Sequence, residues 1–194
     1  PMSKVLNQGF SMTRNAALPA DQALNLSAQL TQVEETPGKA RLATRVVTGT
    51  SSQPEAVVCE VYSVVPLPKP KGPKPPRSER PEDTMTWRAI DSYRAGRFGG
   101  AVYSCLSGDI NPLHWFPPFA WAAGIRAPIL HGFAAGSLIT ASLDRMPDQT
   151  GGAVGSIDVR FIRPMVLPAK LSLELAEDES GQHLRLLDGK GKPC

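Results

Sequence analysis

The run FAAGSLITASL, at residues 133–143, decides the fold of this 194-residue chain. Its residues are apolar or small on every side, and its charges, Asp144 and Arg145, come only after it. A helix that is apolar all round is buried. The run therefore predicts a central helix that follows His131-Gly132 and reaches about Met146.

Strand patterns follow this helix. Apolar residues recur within 154–161, leucines alternate with other residues within 171–175, and a third strand is predicted over 183–187. Asp188-Gly189 is a hairpin turn signal, and only five residues follow it, so the last strand is either very short or replaced by another segment. One buried helix followed by antiparallel strands predicts an α+β domain whose sheet wraps around the helix.

The N-terminal part of the chain reads as strands. Period-two apolar positions and β-branched residues predict strands over 24–33, 40–48 and 56–65. Three strands alone make a poor domain. We therefore expect this part to complete a sheet or to cover a helix that belongs to the rest of the chain.

A proline-rich stretch, PLPKPKGPKPPRSERP at residues 66–81, separates the two parts. Proline fixes φ and removes backbone donors, so the stretch is expected to be an extended, solvated spacer. Its positive charges could alternatively meet phosphates or an acidic protein partner. These residues are Lys69, Lys71, Lys74, Arg77 and Arg80.

Composition excludes several classes of protein. No run of about 18 apolar residues predicts a membrane-spanning helix, and a net charge of +3 is too small to indicate nucleic-acid binding. The three cysteines are widely spaced and odd in number, which favours a reducing compartment. The first twenty residues contain Lys4 and Arg14 but no acid. A cytoplasmic protein is therefore expected, with import into the mitochondrial matrix as the alternative.

The segment Ser107-Gly108-Asp109-Ile110-Asn111-Pro112-Leu113-His114 carries the most chemistry. Asn-Pro is typical of a helix start, with Asn111 as N-cap, so His114 is expected within the first turn. Asp109 would then lie on the loop before it, within reach of the same water molecule. The alternative is that Asp109 and Asn111 only shape a turn and that His114 has a structural role.

This segment, followed by A-P-I-L-H-G at 127–132 and a helix of small residues, resembles the MaoC-like or R-specific enoyl-CoA hydratase family (hydratase 2). The resemblance implies a hotdog fold, in which a curved antiparallel sheet surrounds a central helix. Residues 86–194 are then interpreted as the hotdog domain with the motif, and 66–85 as the linker. Residues 1–65 are interpreted as a partial or degenerate first hotdog of a double-hotdog protein.

The resemblance also implies roles for individual residues. Asp109 and His114 match the catalytic pair that polarises a water for addition to a trans-2-enoyl thioester, giving an (R)-3-hydroxyacyl thioester. Asn111 matches a residue that helps to hold the loop, and Gly132 matches the glycine whose backbone N–H points at the thioester oxygen. His131 is expected mainly to shape the turn into the helix.

Three further residues are candidates for substrate binding. Thr140 lies where some relatives place a hydroxyl near the active carboxylate. Trp115 stands where many relatives carry an acid shortly after the motif histidine, so it either walls the acyl pocket or packs under the loop. Arg126 is a candidate for a pantetheine or phosphate contact.

The implied chemistry requires no metal and no cofactor, because coenzyme A or phosphopantetheine serves as the substrate's carrier. The expected partners are an acyl thioester and a second copy of the chain or a larger assembly, with an acyl carrier protein as a further possibility. Two other functions stay open. One is a non-catalytic hotdog subunit of a larger complex, and the other is a hotdog acyl-CoA thioesterase.

Overall fold

The computed structural model describes residues 5–68, 84–146 and 154–194, which fall into two compact units. Unit one contains 5–68 and 154–161, and unit two contains 84–146 and 162–194. The strands are β1 Leu6–Arg14, β2 Asn25–Thr36, β3 Lys39–Gly49, β4 Val57–Pro66, β5 Arg88–Ala95, β6 Ser156–Arg160, β7 Ala169–Asp178 and β8 Gly181–Asp188. The α-helices are α1 Gly99–Ser107, α2 Pro117–Ala122 and α3 Gly132–Arg145. Most of the predicted spacer, residues 69–83, lies outside the described ranges.

Unit one is an antiparallel sheet with the strand order β2-β3-β4-β1-β6. The three strands predicted from the N-terminal sequence are confirmed as β2, β3 and β4, each within a few residues of its expected limits. β1 was not predicted, because the sequence LNQGFSMTR interrupts its apolar positions with polar ones.

The strand β6 belongs to unit one, whereas its sequence was grouped with the C-terminal strands. It pairs antiparallel with β1, with Phe10 opposite Val159 and Met12 opposite Ile157. The approach of these strands is close at Gly9, where an added Cβ would lie 2.0 Å from the Val159 carbonyl oxygen. A local sequence pattern shows that a strand forms, but its partner here lies about 150 residues away along the chain.

Unit two contains the three-stranded sheet β5-β7-β8 and all three α-helices. Leu171, Leu173 and Leu175 alternate along β7, and all three are buried. α3 is tied to β5 by the Tyr93 hydroxyl, which donates to the Leu138 carbonyl at 3.0 Å, and by the buried Ser142. The central helix expected from residues 133–143 is therefore present in this unit.

α3 is nevertheless not buried on every side, which corrects the sequence expectation. Ala134, Ala135, Ile139 and Leu143 are buried, but Phe133, Ser137 and Ala141 form an exposed stripe at i, i+4 and i+8. The residues on both sides are small or apolar, so composition could not distinguish the exposed side from the buried one.

The chain reverses at Asp188 and forms a very short returning segment, as the turn signal indicated. The Asp188 carboxylate accepts the backbone N–H groups of Lys190 and Lys192 at 2.8 and 2.9 Å. Leu187 then bridges to Pro193, and the Cys194 N–H donates to the Leu186 carbonyl at 2.8 Å.

No helix in the described residues is long and apolar enough to cross a membrane. The three cysteines are free thiols. Burial raises the pKa of Cys59 and of Cys194 above the usual range for a thiol.

Candidate active site

The loop between α1 and α2 brings the motif residues together. α1 ends at Gly108, whose φ of 74° is in the left-handed region that favours glycine. Asn111 then caps a single 3₁₀ turn, Pro112–His114, and its side-chain oxygen accepts the Leu113 N–H at 3.1 Å. The predicted N-cap is confirmed, and it places His114 in the first turn after the loop.

The His114 ring is held in one tautomer. Its Nδ1 lies 2.9 Å from the Ile129 carbonyl oxygen. A carbonyl oxygen only accepts, so Nδ1 carries the hydrogen and Nε2 of the neutral ring keeps a lone pair. The ring is half-buried, and Nε2 is the atom through which it can accept a proton.

Asp109 is held through one of its two carboxylate oxygens. Oδ1 accepts the Asn111 N–H at 3.2 Å, and Oδ2 lies 3.8 Å from Nε2 of His131. The carboxylate is 53% exposed, so water reaches it. One oxygen of Asp109 and one ring nitrogen from each of His114 and His131 lie within 4.8 Å of one another. A single water with two ordinary hydrogen bonds can span that distance.

His131, which the sequence predicted mainly to shape the turn into the helix, lies beside both members of the motif pair. It is 2% exposed, and its ring stacks on His114 with centroids 3.5 Å apart and planes 21° apart. Nε2 lies 3.2 Å from the Asp109 carbonyl oxygen and 3.5 Å from the Ser104 hydroxyl. Nε2 therefore carries the hydrogen, and the buried Nδ1 has no hydrogen-bond partner among the described residues.

The surroundings of His131 favour its neutral ring. Burial lowers its pKa below the usual value, the neighbouring His114 lowers it further, and the Asp109 oxygens oppose both effects only in part. The 3.8 Å approach of His131 to the Asp109 carboxylate is short enough for an ion pair. With a neutral ring it is instead a polar contact, because burial penalises the charged form.

Gly132 is the first residue of α3, directly after His131. The first N–H groups of a helix have no acceptor within the helix, and they carry the positive end of its dipole. The first turn of α3 contains no acidic side chain that would compete for these donors. The chain therefore presents a backbone donor directly after His131, and the role that the resemblance implies for Gly132 stays a prediction.

The other candidate residues, outside the dyad of Asp109 and His114, have the following contacts. The Thr140 hydroxyl donates to the Gly136 and Ser137 carbonyls of its own helix, about 12 Å along the helix from Gly132. Trp115 is 44% exposed, and its indole N–H donates to the Ile110 carbonyl at 3.1 Å, which ties the ring to the catalytic loop. Arg126 is exposed, and its backbone carbonyl accepts the Trp121 indole N–H at 3.0 Å.

Three residues of α1 shape the site and were not found from the sequence. Ser104 is buried with its hydroxyl near His131, and the Tyr103 ring centroid lies 5.0 Å from that of His131. A Cβ on Gly100 would lie 1.8 Å from the His114 carbonyl oxygen, so only glycine allows α1 to approach the 3₁₀ turn. Their spacing of i, i+3 and i+4 along one helix face was the available signal.

Asp109, His114 and His131 are also the group in the described ranges whose ligand atoms are close enough to approach one metal ion. Two imidazoles that bind one ion must aim their in-plane lone pairs at a common point. Stacked rings aim these lone pairs side by side, so the geometry fits proton transfer better than a two-histidine, one-carboxylate metal centre.

Comparisons with known proteins identify the family of this chain. The family model described as "MaoC like domain" matches residues 73–189. The 3-hydroxyacyl-thioester dehydratase X of Mycobacterium tuberculosis is 34% identical over 93 residues, which cover 47% of this chain and 31% of the relative. The (R)-specific enoyl-CoA hydratase of Aeromonas caviae is 30% identical over 84 residues, which cover 43% of this chain and 63% of the relative. The chain thus spans less than two thirds of either relative.

The fold has a counterpart among solved structures. A Mycobacterium tuberculosis protein with a double hotdog fold aligns with a TM-score of 0.56 at 12% identity, over 96% of this chain and 68% of that protein. This likeness confirms the hotdog fold expected from the sequence. The match of the family model spans more than half of the chain and includes the whole Asp109–His114 loop and the start of α3. The chain therefore belongs to the MaoC-like domain family.

Proposed function

We propose that this protein is a hydratase or dehydratase that interconverts trans-2-enoyl thioesters and (R)-3-hydroxyacyl thioesters. The observation that carries the proposal is the meeting of the Asp109 carboxylate and a His114 ring whose Nδ1 is already engaged by a carbonyl. A carboxylate and an imidazole lone pair around one water are what general acid–base catalysis of hydration requires. The names of the two relatives support the substrate class.

In the hydration direction, the water oxygen bonds to the β-carbon of the enoyl thioester. A water proton passes to the dyad, and the dyad returns one proton to the α-carbon, so one water is added and the side chains regain their starting state. Negative charge builds on the thioester oxygen as the α,β double bond is lost. The Gly132 N–H at the positive end of α3 would stabilise it, and one such donor is typically worth about 10²–10³ in rate.

None of these steps consumes an electron or needs a Lewis acid, so the proposal includes no metal, flavin or nicotinamide. We propose that a coenzyme A or phosphopantetheine arm carries the acyl group. The positive charge of Arg126 is suited to a phosphate of that arm, and Trp115 is suited to cover an apolar acyl chain, because its exposed ring is fixed to the loop.

The test is the loss of the enoyl absorbance of crotonyl-CoA on addition of purified protein. Asp109→Asn and His114→Ala are each expected to lower the rate by about 10²–10⁴, the usual contribution of a positioned acid or base. Asp144→Asn and His183→Ala are matched controls, because they make the same chemical changes at Asp144 on the far end of α3 and His183 on β8. Both controls should keep the wild-type rate.

Two results would overturn the proposal. Wild-type protein that is no more active than both site variants, on enoyl thioesters of several chain lengths and with both carriers, would favour a non-catalytic hotdog subunit. Release of free thiol from saturated acyl-CoA, followed with a thiol-reactive dye, would favour a thioesterase.

We further propose that the active protein is a homodimer or a larger assembly, because hotdog domains usually pair. Light scattering on the purified protein measures its mass directly.

We also propose a reducing compartment, the cytoplasm or alternatively the mitochondrial matrix, where three free thiols are stable.

A further inference from the structure

His131 combines three features that a residue which only shapes a turn does not need. It is buried, it stacks on His114, and its Nδ1 meets no hydrogen-bond partner in the part of the chain that the structure describes. An unsatisfied buried polar atom destabilises a fold, and each such atom in a native protein calls for an explanation. An apolar side chain of similar volume would fill the same space without that cost. The histidine is therefore explained better by the site than by the fold.

Its contacts reach all three parts of the proposed site. The ring face supports His114 at a centroid distance of 3.5 Å. Nε2–H donates to the Asp109 backbone carbonyl at 3.2 Å and faces the carboxylate of the same residue. His131 is also the N-cap residue of α3, so its backbone fixes the position of Gly132.

Asp109 needs such a support more than His114 does. The His114 ring is already fixed by the Ile129 carbonyl, whereas the carboxylate of Asp109 is half-exposed on a loop and is held by one N–H at 3.2 Å. A second anchor on its backbone reduces the freedom of that loop. Catalysis by a dyad depends on such positioning, since a displacement of about 1 Å can cost about 10² in rate.

We propose that His131 is a positioning residue for the dyad, in which its ring braces His114 and its N–H holds Asp109 relative to the start of α3. This role rests on the function proposed above and deepens it. His131 does not take up or release a proton in the reaction; it acts through Asp109 and His114.

Three variants separate the two contacts. His131→Leu removes both the ring and the donor, His131→Phe keeps a ring against His114, and His131→Gln keeps an N–H within reach of Asp109. We expect kcat to fall about 10- to 100-fold in the leucine variant, with KM nearly unchanged, and the other two variants to recover part of the loss. The Tm of the leucine variant should stay at or above that of the wild type, because the unsatisfied nitrogen is gone.

Leu143→Ala is the matched control for stability. Leu143 is buried on α3 away from the dyad, so its truncation should lower Tm and leave kcat of the folded enzyme unchanged. The proposal is overturned if His131→Leu keeps the wild-type kcat. It is also overturned if the kcat of the His131 variants falls only together with Tm, because that pattern indicates a structural role.

A measurement without substrate distinguishes this proposal from the proposed function. The hydrogen exchange of the Asn111 backbone N–H, which donates to the Asp109 carboxylate, reports how firmly the Asp109 loop is held, and it should be faster in His131→Leu than in the wild type. Inactive wild-type protein with faster exchange at Asn111 in the variant would defeat the hydratase function and still support positioning. Unchanged exchange at Asn111 in His131→Leu would overturn the positioning role whatever the activity.

Discussion

Replacing Gly100 with alanine tests how tightly the position of the dyad depends on α1. An alanine Cβ would lie 1.8 Å from the His114 carbonyl oxygen, and real Cβ contacts are essentially never shorter than 3.0 Å. The carbonyl, which belongs to the proposed base itself, must therefore move by about 1.2 Å. Overpacking of this kind costs about 1–3 kcal/mol, or roughly 2–12 °C in Tm for a chain of this size. A displacement near 1 Å at a catalytic residue costs about 10² in kcat.

The neighbouring Gly99 provides the control. The nearest atoms to a Cβ there belong to Ala95, Leu130 and Leu167, at 3.7–3.9 Å, which is ordinary contact. Gly99→Ala should therefore keep both Tm and the rate of crotonyl-CoA hydration, whereas Gly100→Ala should lose both. Differential scanning fluorimetry and the absorbance assay, run on both variants, decide the matter. If Gly100→Ala behaves like Gly99→Ala, the close approach of α1 to the 3₁₀ turn is not what holds His114.

Three other outcomes are expected. Ser142→Ala should lower the free energy of unfolding by about 1–3 kcal/mol, because Ser142 is fully buried and bonds Asp91, Tyr93 and Arg145; an unchanged Tm would contradict this. The lowered pKa of His131 means that the unfolded chain takes up its proton first, near pH 6.5, so this part of the stability is complete above about pH 6.5 and is lost as the pH falls below it. The Tm measured against pH should decline on the acid side less steeply in His131→Leu than in the wild type, and equal slopes would refute the assignment. Thr140→Val should keep kcat in the absorbance assay, because the hydroxyl is occupied by its own helix; a loss of 10-fold or more, on the order expected of a catalytic contact, would return Thr140 to the site.

Local patterns were sufficient for most of the secondary structure. Alternating apolar residues predicted β2, β3, β4, β7 and β8, and the small-residue run predicted α3 with limits close to those observed. β1 and β5 were missed because polar residues interrupt their alternation, as in RAIDSYRA. Their stability comes from central or paired positions in a sheet, which the strand's own residues do not specify.

Within the site, the sequence predicted what the chain encodes locally and missed what packing creates. The Asn111 cap and the proximity of Asp109 to His114 follow from one short segment. The stack of His131 on His114 and the requirement for glycine at position 100 arise where α1 and the start of α3 meet the 3₁₀ turn. Such contacts join residues 14–17 positions apart, and no local periodicity reports them. Family resemblance pointed to the motif residues, and the role proposed for His131 comes from its observed contacts.

The membership of β6 in the first sheet has a consequence for biosynthesis. The ribosome completes β1 to β4 early, but Gly9 finds its neighbour Arg160 only after the whole of α1, α2 and α3 has been translated. Until then β1 keeps an unpaired edge, which is a template for pairing with another nascent chain. Slow elongation through the intervening segment would prolong that exposure. Co-expression with chaperones that shield strand edges should therefore raise the soluble yield of this protein more than that of a protein whose sheets close in sequence order.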